Sequence, residues 1–402
     1  MKINQENIKQ YSQKILKHLE QYQKNIDLNF HLYDLETDKG QIYYENIKHL
    51  NPKLSIHSLS QLLYEITNNL NPDLEILPPD LREYILQTKN LYIDRRLDSF
   101  NKNSNPIEFK EKIHVKKRHE INQISNLIFN VCEKNRINCI IDVGSGVGYL
   151  SRILSSKYQV ISIECCAERV ATSKQKSRAH SIIHINARLD SKNFESVLER
   201  IKCSLDIISP RFLLTGLHAC GDLSSQIMPE LFIKESSIIA FVSVGCCYHL
   251  MSFDSFPLSK SLKGVKMEQT FLKMASQTIA KFDQKRIISM WYGHTKRVMA
   301  QVSKGFQEKL HVKIKRPIEK LKDIYDDCDD VDLKVFEKVA FVSFLKGIIS
   351  PLYESILLVD RFLFLLEYVE HVELIPLFDQ RISPRNMVFL ATKMNPLKTT
   401  DR

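Results

Sequence analysis

Short apolar runs alternate with helix-length segments through the middle of this chain, between residues 113 and 265. Five of these runs are rich in Ile and Val and are too short to be buried helices. They cover residues 139–142, 159–164, 181–185, 211–218 and 237–244. Apolar strands that alternate with helices indicate a parallel sheet covered on both faces.

Helical spacing of apolar residues dominates the regions on either side of this segment. The chain then returns to strand at residues 371–377 and 385–392, which flank a turn and predict a closing antiparallel hairpin. We therefore predict an α/β fold with a Rossmann-like, seven-stranded sheet. The predicted parts are a helical accessory domain at 1–110, a Rossmann-like core at 111–265 and 370–400, and a helical insertion at 266–369.

Composition is that of an ordinary globular protein, with 44% hydrophobic and 26% charged residues among 402, which excludes wholesale disorder. The net charge of +10, from 57 Lys and Arg against 47 Asp and Glu, is consistent with an anionic partner such as RNA. Solubility alone explains this charge equally well. Basic residues cluster at 110–118 and 309–316.

The sequence shows no signal peptide and no uninterrupted apolar run of about 18 residues, so no membrane contact is expected. Its nine cysteines form no CxxC pair or regular framework. They are best explained as reduced thiols of a cytoplasmic or nuclear protein.

Glycine is scarce, with 11 in 402 residues, yet three glycines fall within five positions directly after the first strand. The segment Asp142–Gly148 reads Asp-Val-Gly-Ser-Gly-Val-Gly, and the second strand ends in an acid, Glu164, about 20 residues later. A glycine loop lets the backbone approach a ligand, and an acid at this spacing can bind ribose hydroxyls. A dinucleotide fingerprint needs Gly or Ala at the position of Tyr149, so NAD is disfavoured.

A second group of reactive residues follows the fourth and fifth strands, at Gly216–Asp222 and Gly245–His249. Ligands bind outside the carboxyl ends of parallel strands, so both segments are expected to line the pocket that holds the substrate. The candidate catalytic residues are His218, Cys220, Asp222, Cys246, Cys247 and His249.

The chemistry of this group stays open between a general-base histidine, a nucleophilic cysteine and buried structural side chains. Zinc ligation is also conceivable, but adjacent cysteines usually diverge, so pocket-lining thiols are favoured and no metal is predicted. The Asp/Asn-Pro-Pro-aromatic motif typical of base-amino methyltransferases is absent after the fourth strand, where the chain reads His218-Ala-Cys-Gly-Asp222.

Several segments together resemble the methyltransferase-like protein 25 family, and the likeness extends over about residues 110–393. They are Lys116–Glu120, Asp142–Gly148, Gly216–Asp222, Gly245–His249 and Ser383–Asn386. The resemblance implies a class I methyltransferase domain with S-adenosylmethionine as its cofactor. The cofactor-binding residues it implies are Lys117, His119, Asp142, Gly144, Ser145, Gly146, Gly148 and Glu164.

The Cys/His segments also resemble the tRNA acceptor-stem ribose methyltransferase family. This likeness, with the basic charge, points to an RNA acceptor, either rRNA or tRNA. A protein methyltransferase and a non-catalytic S-adenosylmethionine-binding module remain as alternatives. The oligomeric state is not predicted.

Overall fold

The computed structural model describes most of the chain. The described residues are 7–25, 48, 51, 54–68, 70–97, 113–190, 192–277, 282–302 and 333–393. The basic cluster at 309–316 lies outside them, as do residues 110–112 of the other cluster. Contacts divide the chain into two compact units, one with residues 11–92 and 277–356 and the other with residues 2–10, 93–276 and 357–402.

The second unit contains a seven-stranded sheet, built from described residues, in the order β3-β2-β1-β4-β5-β7-β6. Its strands are β1 (Cys139–Val143), β2 (Gln159–Glu164), β3 (Ile182–Asn186), β4 (Phe212–Cys220), β5 (Ile238–Cys246), β6 (His371–Pro376) and β7 (Met387–Thr392). The first five strands are parallel, and β7 runs antiparallel to both β5 and β6. The predicted sheet with its closing hairpin is confirmed.

Helices cover this sheet because their apolar residues recur at helical spacing. The helices of this unit are α4 (Val115–Lys134), α5 (Tyr149–Leu154), α6 (Ala167–Lys176), α7 (Phe194–Cys203), α8 (Met228–Lys234) and α9 (Gln269–Ala275). The buried stripe of α4 at Ile121, Ile124 and Ile128 packs in one core with Ile140 of β1 and Val388 of β7. All five residues of β1 are buried, as expected for a strand covered on both faces.

The hairpin that ends the sheet is fixed by a compact turn. The backbone N–H of Leu377 donates to Asn386 O at 2.8 Å, and that of Ser383 donates to Asp379 O at 2.8 Å. The Asn386 amide also donates to Phe378 O at 3.2 Å and Arg95 O at 2.9 Å. These bonds hold the turn, and with it Ser383, on the same unit as α4.

The remaining helices are long or belong to the first unit. They are α1 (Ile8–Asn25), α2 (Ile56–Thr67), α3 (Pro79–Asn90), α10 (Gln284–Val302) and α11 (Leu333–Leu366). Within the first unit, Tyr84 of α3 donates its hydroxyl to Leu345 O at 3.0 Å, which ties an early helix to a late one. The helical character predicted for both regions agrees with these elements, while the predicted domain boundaries stay a prediction.

Helix α11 is long and apolar enough to cross a membrane by length and composition alone. Its most apolar window is 94% buried inside the fold, as is typical of a core helix in a globular protein.

Candidate functional site

The glycine loop follows β1 and turns back across the end of β2. Gly144, Gly146 and Gly148 all have positive φ, at 68°, 60° and 75°, which glycine adopts without strain. The Gly144 N–H donates to Ile163 O at 2.9 Å, and the Ser145 hydroxyl bonds Ser162 at 2.7 Å. The sequence-predicted loop is thus held against β2, with its backbone at the carboxyl edge of the sheet.

The three glycines serve different purposes. A Cβ at Gly148 would lie 2.1 Å from the Ser173 hydroxyl oxygen and 3.3 Å from the Ser173 Cβ, so a side chain there would displace Ser173 of α6. A Cβ at Gly146 would meet nothing within 4 Å, and one at Gly144 would meet only Leu223 at 3.8 Å. The loop is therefore open beside Gly144 and Gly146, where a ligand can approach the backbone.

Two buried carboxylates flank the loop. Glu164 is 5% exposed and accepts from the Gly146 N–H at 3.0 Å and the Cys166 N–H at 2.9 Å. Asp142 is 1% exposed and accepts from the Ser151 hydroxyl at 2.6 Å. Both predicted acids lie at the same edge of the sheet as the loop.

Burial raises the pKa of Asp142 to about 6, although the Ser151 hydrogen bond and the charge of Lys117 oppose the rise. The negative charge of Glu164 adds to it. Lys117 therefore acts on the predicted cofactor edge. His119 Nε2 accepts the backbone N–H of Asp379 at 3.0 Å and so helps to fix the hairpin turn, while its contact with the cofactor stays a prediction.

A carboxylate–histidine pair lies at the end of β4. His218 has a φ of 63°, and its Nε2 is 2.7 Å from Glu120 Oε1. Glu120 is 1% exposed, and the same oxygen accepts from the Ser383 hydroxyl at 2.5 Å. Lys116 Nζ lies 3.4 Å away.

Burial by itself would raise the pKa of Glu120, but the hydrogen bonds and charges around it bring that pKa down to about 2. His218 contributes most of this stabilisation, followed by the Ser383 hydroxyl and the Lys116 charge. Glu120 is thus ionised at neutral pH, and it can only accept the proton that His218 Nε2 carries. The carboxylate fixes the ring and leaves Nδ1 as the basic nitrogen.

Glu120 and Ser383 lie in segments that carry the family resemblance, but the sequence reasoning gave neither residue a role in the site. Glu120 lies four residues before Ile124 and seven before Leu127, on the buried face of α4. A charged residue on an apolar stripe was the available signal, because such a carboxylate must be paired when the helix packs. Its partners come from β4 and from the hairpin, so their identity was not visible in the local sequence.

Three predicted cysteines do converge. Cys220 at the end of β4 pairs with Cys246 at the end of β5, and their Sγ atoms are 3.2 Å apart. The Cys247 Sγ joins them, with all three sulfurs within 4.8 Å of one another. We call this the thiol cluster.

The contacts within the thiol cluster shift the pKa values of its cysteines in opposite directions. The hydrogen-bond contact with Cys246, whose Sγ lies 3.2 Å away, lowers the pKa of Cys220 to about 6 even though burial opposes it. The same contact, with burial, raises the pKa of Cys246. Among these three thiols, Cys220 is therefore the one that loses its proton most readily.

Asp222 and His249 lie beside the thiol cluster but bond elsewhere. Asp222 Oδ1 accepts from the Ser252 N–H at 2.8 Å and from the Ser255 hydroxyl. His249 is exposed, and its Nδ1 lies 3.1 Å from the Ser276 hydroxyl. Asp222 thus orders the loop after β5, and His249 contacts the residue that follows α9.

Comparison with known proteins agrees with this arrangement. Residues 116–254 match a family model described as a methyltransferase domain. That segment holds the glycine loop, both acids, the His218–Glu120 pair and the thiol cluster.

Curated relatives extend the match. The chain is 27% identical over 227 residues to a probable methyltransferase-like protein 25 of Mus musculus, and 27% identical over 232 residues to the Homo sapiens protein of that name. Each alignment covers 45% of this chain and 37% of the relative, so the chain spans well under half the length of either. The resemblance predicted from the sequence is confirmed.

Two solved structures are also similar. One is the 23S rRNA methyltransferase ErmE, at 13% identity and a TM-score of 0.22, covering 56% of this chain and 96% of that one. The other is coclaurine N-methyltransferase bound to N-methylheliamine and S-adenosylhomocysteine, at 12% identity and a TM-score of 0.27, covering 86% and 97%.

The match of residues 116–254 to a methyltransferase domain confirms the predicted cofactor, S-adenosylmethionine. The chain's own residues fit it. The open backbone at Gly144 and Gly146 leaves space for a ligand, and Glu164 lies beside that space with carboxylate oxygens suited to ribose hydroxyls. These residues and Asp142 would hold the cofactor.

Proposed function

We propose that this chain is an S-adenosylmethionine-dependent methyltransferase that acts on RNA, either rRNA or tRNA, in the cytoplasm or nucleus. The observation that carries the proposal is the convergence of two groups at one edge of the sheet. An open glycine loop follows β1 and lies beside acids of β1 and β2, and a histidine oriented by a buried carboxylate lies near the end of β4. The positive net charge of +10 supports an RNA acceptor.

S-adenosylmethionine supplies a methyl group that its sulfonium already activates. The chain then has to hold the acceptor in line with that methyl group, and orientation accounts for much of the rate enhancement. Where the acceptor is a hydroxyl, it must also lose a proton. We assign this proton to His218 Nδ1, because Nε2 is engaged by Glu120.

Glu120 is the positioning residue in this scheme. Its carboxylate keeps the proton of His218 on Nε2 and stabilises the imidazolium that forms. Ser383 and Lys116 hold Glu120 in turn. The hairpin and α4 thereby support a base that sits on β4.

Cofactor binding and acceptor class are tested separately. Calorimetry with S-adenosylmethionine is expected to show binding to the folded chain, and no binding would refute the proposal. Tritiated methyl transfer into total RNA and total protein, from cells that lack the gene, is expected to label RNA. Label in protein alone would assign a protein methyltransferase, and binding without any transfer would assign a non-catalytic module.

The role of His218 is tested by paired variants. We expect His218→Gln to lower kcat by about a hundredfold or more, and Glu120→Gln to lower it less and to shift the pH profile of the rate. His371→Gln, at an exposed position on β6, is the matched control. An unchanged kcat in His218→Gln, with S-adenosylmethionine affinity retained, would show that no general base acts there.

A further inference from the structure

The thiol cluster is produced by the backbone at two adjacent strand ends. Cys220 and Cys246 are partners in the register of β4 and β5, and the pairing shifts between Leu217 and Ala219. The residue at that irregularity, His218, has a positive φ of 63°. The bulge decides which residue of β4 faces Cys246.

Adjacent cysteines on an extended strand would point to opposite faces of the sheet. Here Cys247 follows the last residue of β5 and has a φ of 51°, a left-handed conformation that costs a non-glycine residue about 1–2 kcal/mol. This turn brings the Cys247 sulfur to the same side as that of Cys246. The left-handed backbone of Cys247 thus accompanies the convergence of the three sulfurs.

The spacing of the sulfurs suits a shared metal ion. Zinc binds thiolate at about 2.3 Å, which places the sulfurs of a tetrahedral site about 3.8 Å apart. The Cys220 and Cys246 sulfurs are 3.2 Å apart, and the three lie within 4.8 Å. Small side-chain rotations bring them to the zinc distance, and all three cysteines are free thiols.

We propose that Cys220, Cys246 and Cys247 bind one Zn²⁺ ion as a three-thiolate site with an open fourth position. Among the described residues, no further His, Cys, Asp or Glu ligand atom joins this group. Three protein ligands with one open position are typical of zinc sites that also take water or a substrate atom. Cys220 is exposed, which gives the ion an entry path.

A neighbouring cation complements such a site. Three thiolates around Zn²⁺ leave one negative charge. The Arg385 guanidinium lies 5.3 Å from the centroid of the Tyr248 ring, and its charge acts on Cys247. Burial and the contacts among the thiols raise the pKa of Cys246 and of Cys247, so zinc must displace the protons of these two thiols when it binds.

This inference goes beyond the proposed function and stands apart from it, because it concerns metal binding rather than methyl transfer. A bound ion would join the ends of β4 and β5 through three side chains. Zinc bound there would supply a Lewis acid at the ends of these two strands.

The test measures metal content of the full chain. We expect wild-type protein, reconstituted with Zn²⁺ under reducing conditions and desalted, to retain about one zinc per chain by mass spectrometry. Cys220→Ser and Cys247→Ser should each weaken zinc affinity by about a hundredfold or more. Cys203→Ser, an exposed cysteine at the end of α7, should leave it unchanged. Substitution with Co²⁺ should show thiolate-to-metal charge-transfer absorption in wild type.

Wild-type controls keep the test independent of variant folding. A chelator should release the metal and expose three additional reactive thiols. No zinc retention by folded wild type, or a Cys220–Cys246 disulfide in place of zinc under reducing conditions, would overturn the proposal. Calorimetry with S-adenosylmethionine on the same sample separates this outcome from failure of the proposed function.

Discussion

At the scale of single residues, Gly146 and Gly148 share a positive φ but differ in the space beside them. Gly146→Ala adds only left-handed strain, about 1–2 kcal/mol, yet it fills the open side of the loop. We expect S-adenosylmethionine affinity to fall at least about tenfold, equal to about 1.4 kcal/mol. Calorimetry and urea denaturation measure the two effects.

Gly148→Ala is the matched variant, and it should lose stability instead, by about 3 kcal/mol, because its Cβ meets the Ser173 hydroxyl. Ser173→Ala in the same chain removes that clash and should restore part of the loss. If both alanine variants destabilise the fold equally, the packing explanation for Gly148 is wrong.

The raised pKa of Asp142 makes a second prediction at this scale. The unfolded carboxyl titrates near pH 4, whereas burial raises the folded pKa to about 6. As pH rises from about 4 to about 6 the unfolded chain releases its proton first, so the folded state loses stability, and the loss is complete above pH 6. Asp142→Asn has no such loss.

We therefore expect Asp142→Asn to be more stable than wild type at pH 7, by up to about 3 kcal/mol, and to approach wild type near pH 4. Urea denaturation across this pH range measures the difference. S-adenosylmethionine affinity should fall in the same variant. An equal difference at pH 4 and pH 7 would show that ionisation is not its source.

At the scale of elements, one ion pair on α11 holds the loop after β5. Asp360 is fully buried and accepts from the backbone N–H groups of Leu258 and Ser259, both at 2.9 Å. Arg361 is 3% exposed and donates to Asp360 at 2.8 Å and to Ser255 O at 2.5 Å. The loop thus depends on two charges that interrupt the apolar stretch 356–366 of this helix.

Breaking this pair should be costly, because the remaining charge stays buried without its partner. We expect Asp360→Asn to lower the free energy of unfolding by about 3–5 kcal/mol. Glu230→Gln is the control, since it removes a partly exposed pair with Lys234 on α8 and should cost under about 1 kcal/mol. Similar urea midpoints for the two variants would contradict this account.

At the scale of the whole molecule, each compact unit is assembled from segments far apart in the chain. The methyltransferase sheet needs β6 and β7, which arrive more than a hundred residues after β5. Strand β7 contributes Val388 and Leu390 to the same core as Val242 of β5, and Ile375 of β6 packs against that core. The matched family segment, 116–254, thus covers five of the seven strands.

Net charge is the whole-molecule property that bears on the proposed RNA acceptor. With a net charge of +10, binding should release counterions, so RNA affinity should fall steeply as salt rises. The slope of log K against log salt should be about −0.7 for each phosphate contacted on a single strand. Filter binding across a salt series measures it. A flat response would remove the electrostatic support for RNA.

The sequence by itself determined where the strands and the glycine loop lie along the chain, because hydrophobic periodicity and glycine spacing are local signals. The alternation of strands with helices also determined that the first five strands are parallel. It also identified the residues at the ends of β4 and β5. Only the tertiary structure decided which of these meet. Glu120 joins His218 across 98 residues, and Cys220 joins Cys246 through strand register, whereas Asp222 and His249 bond to the loop and helix beside them. Such pairings follow from packing and register, which no local pattern records.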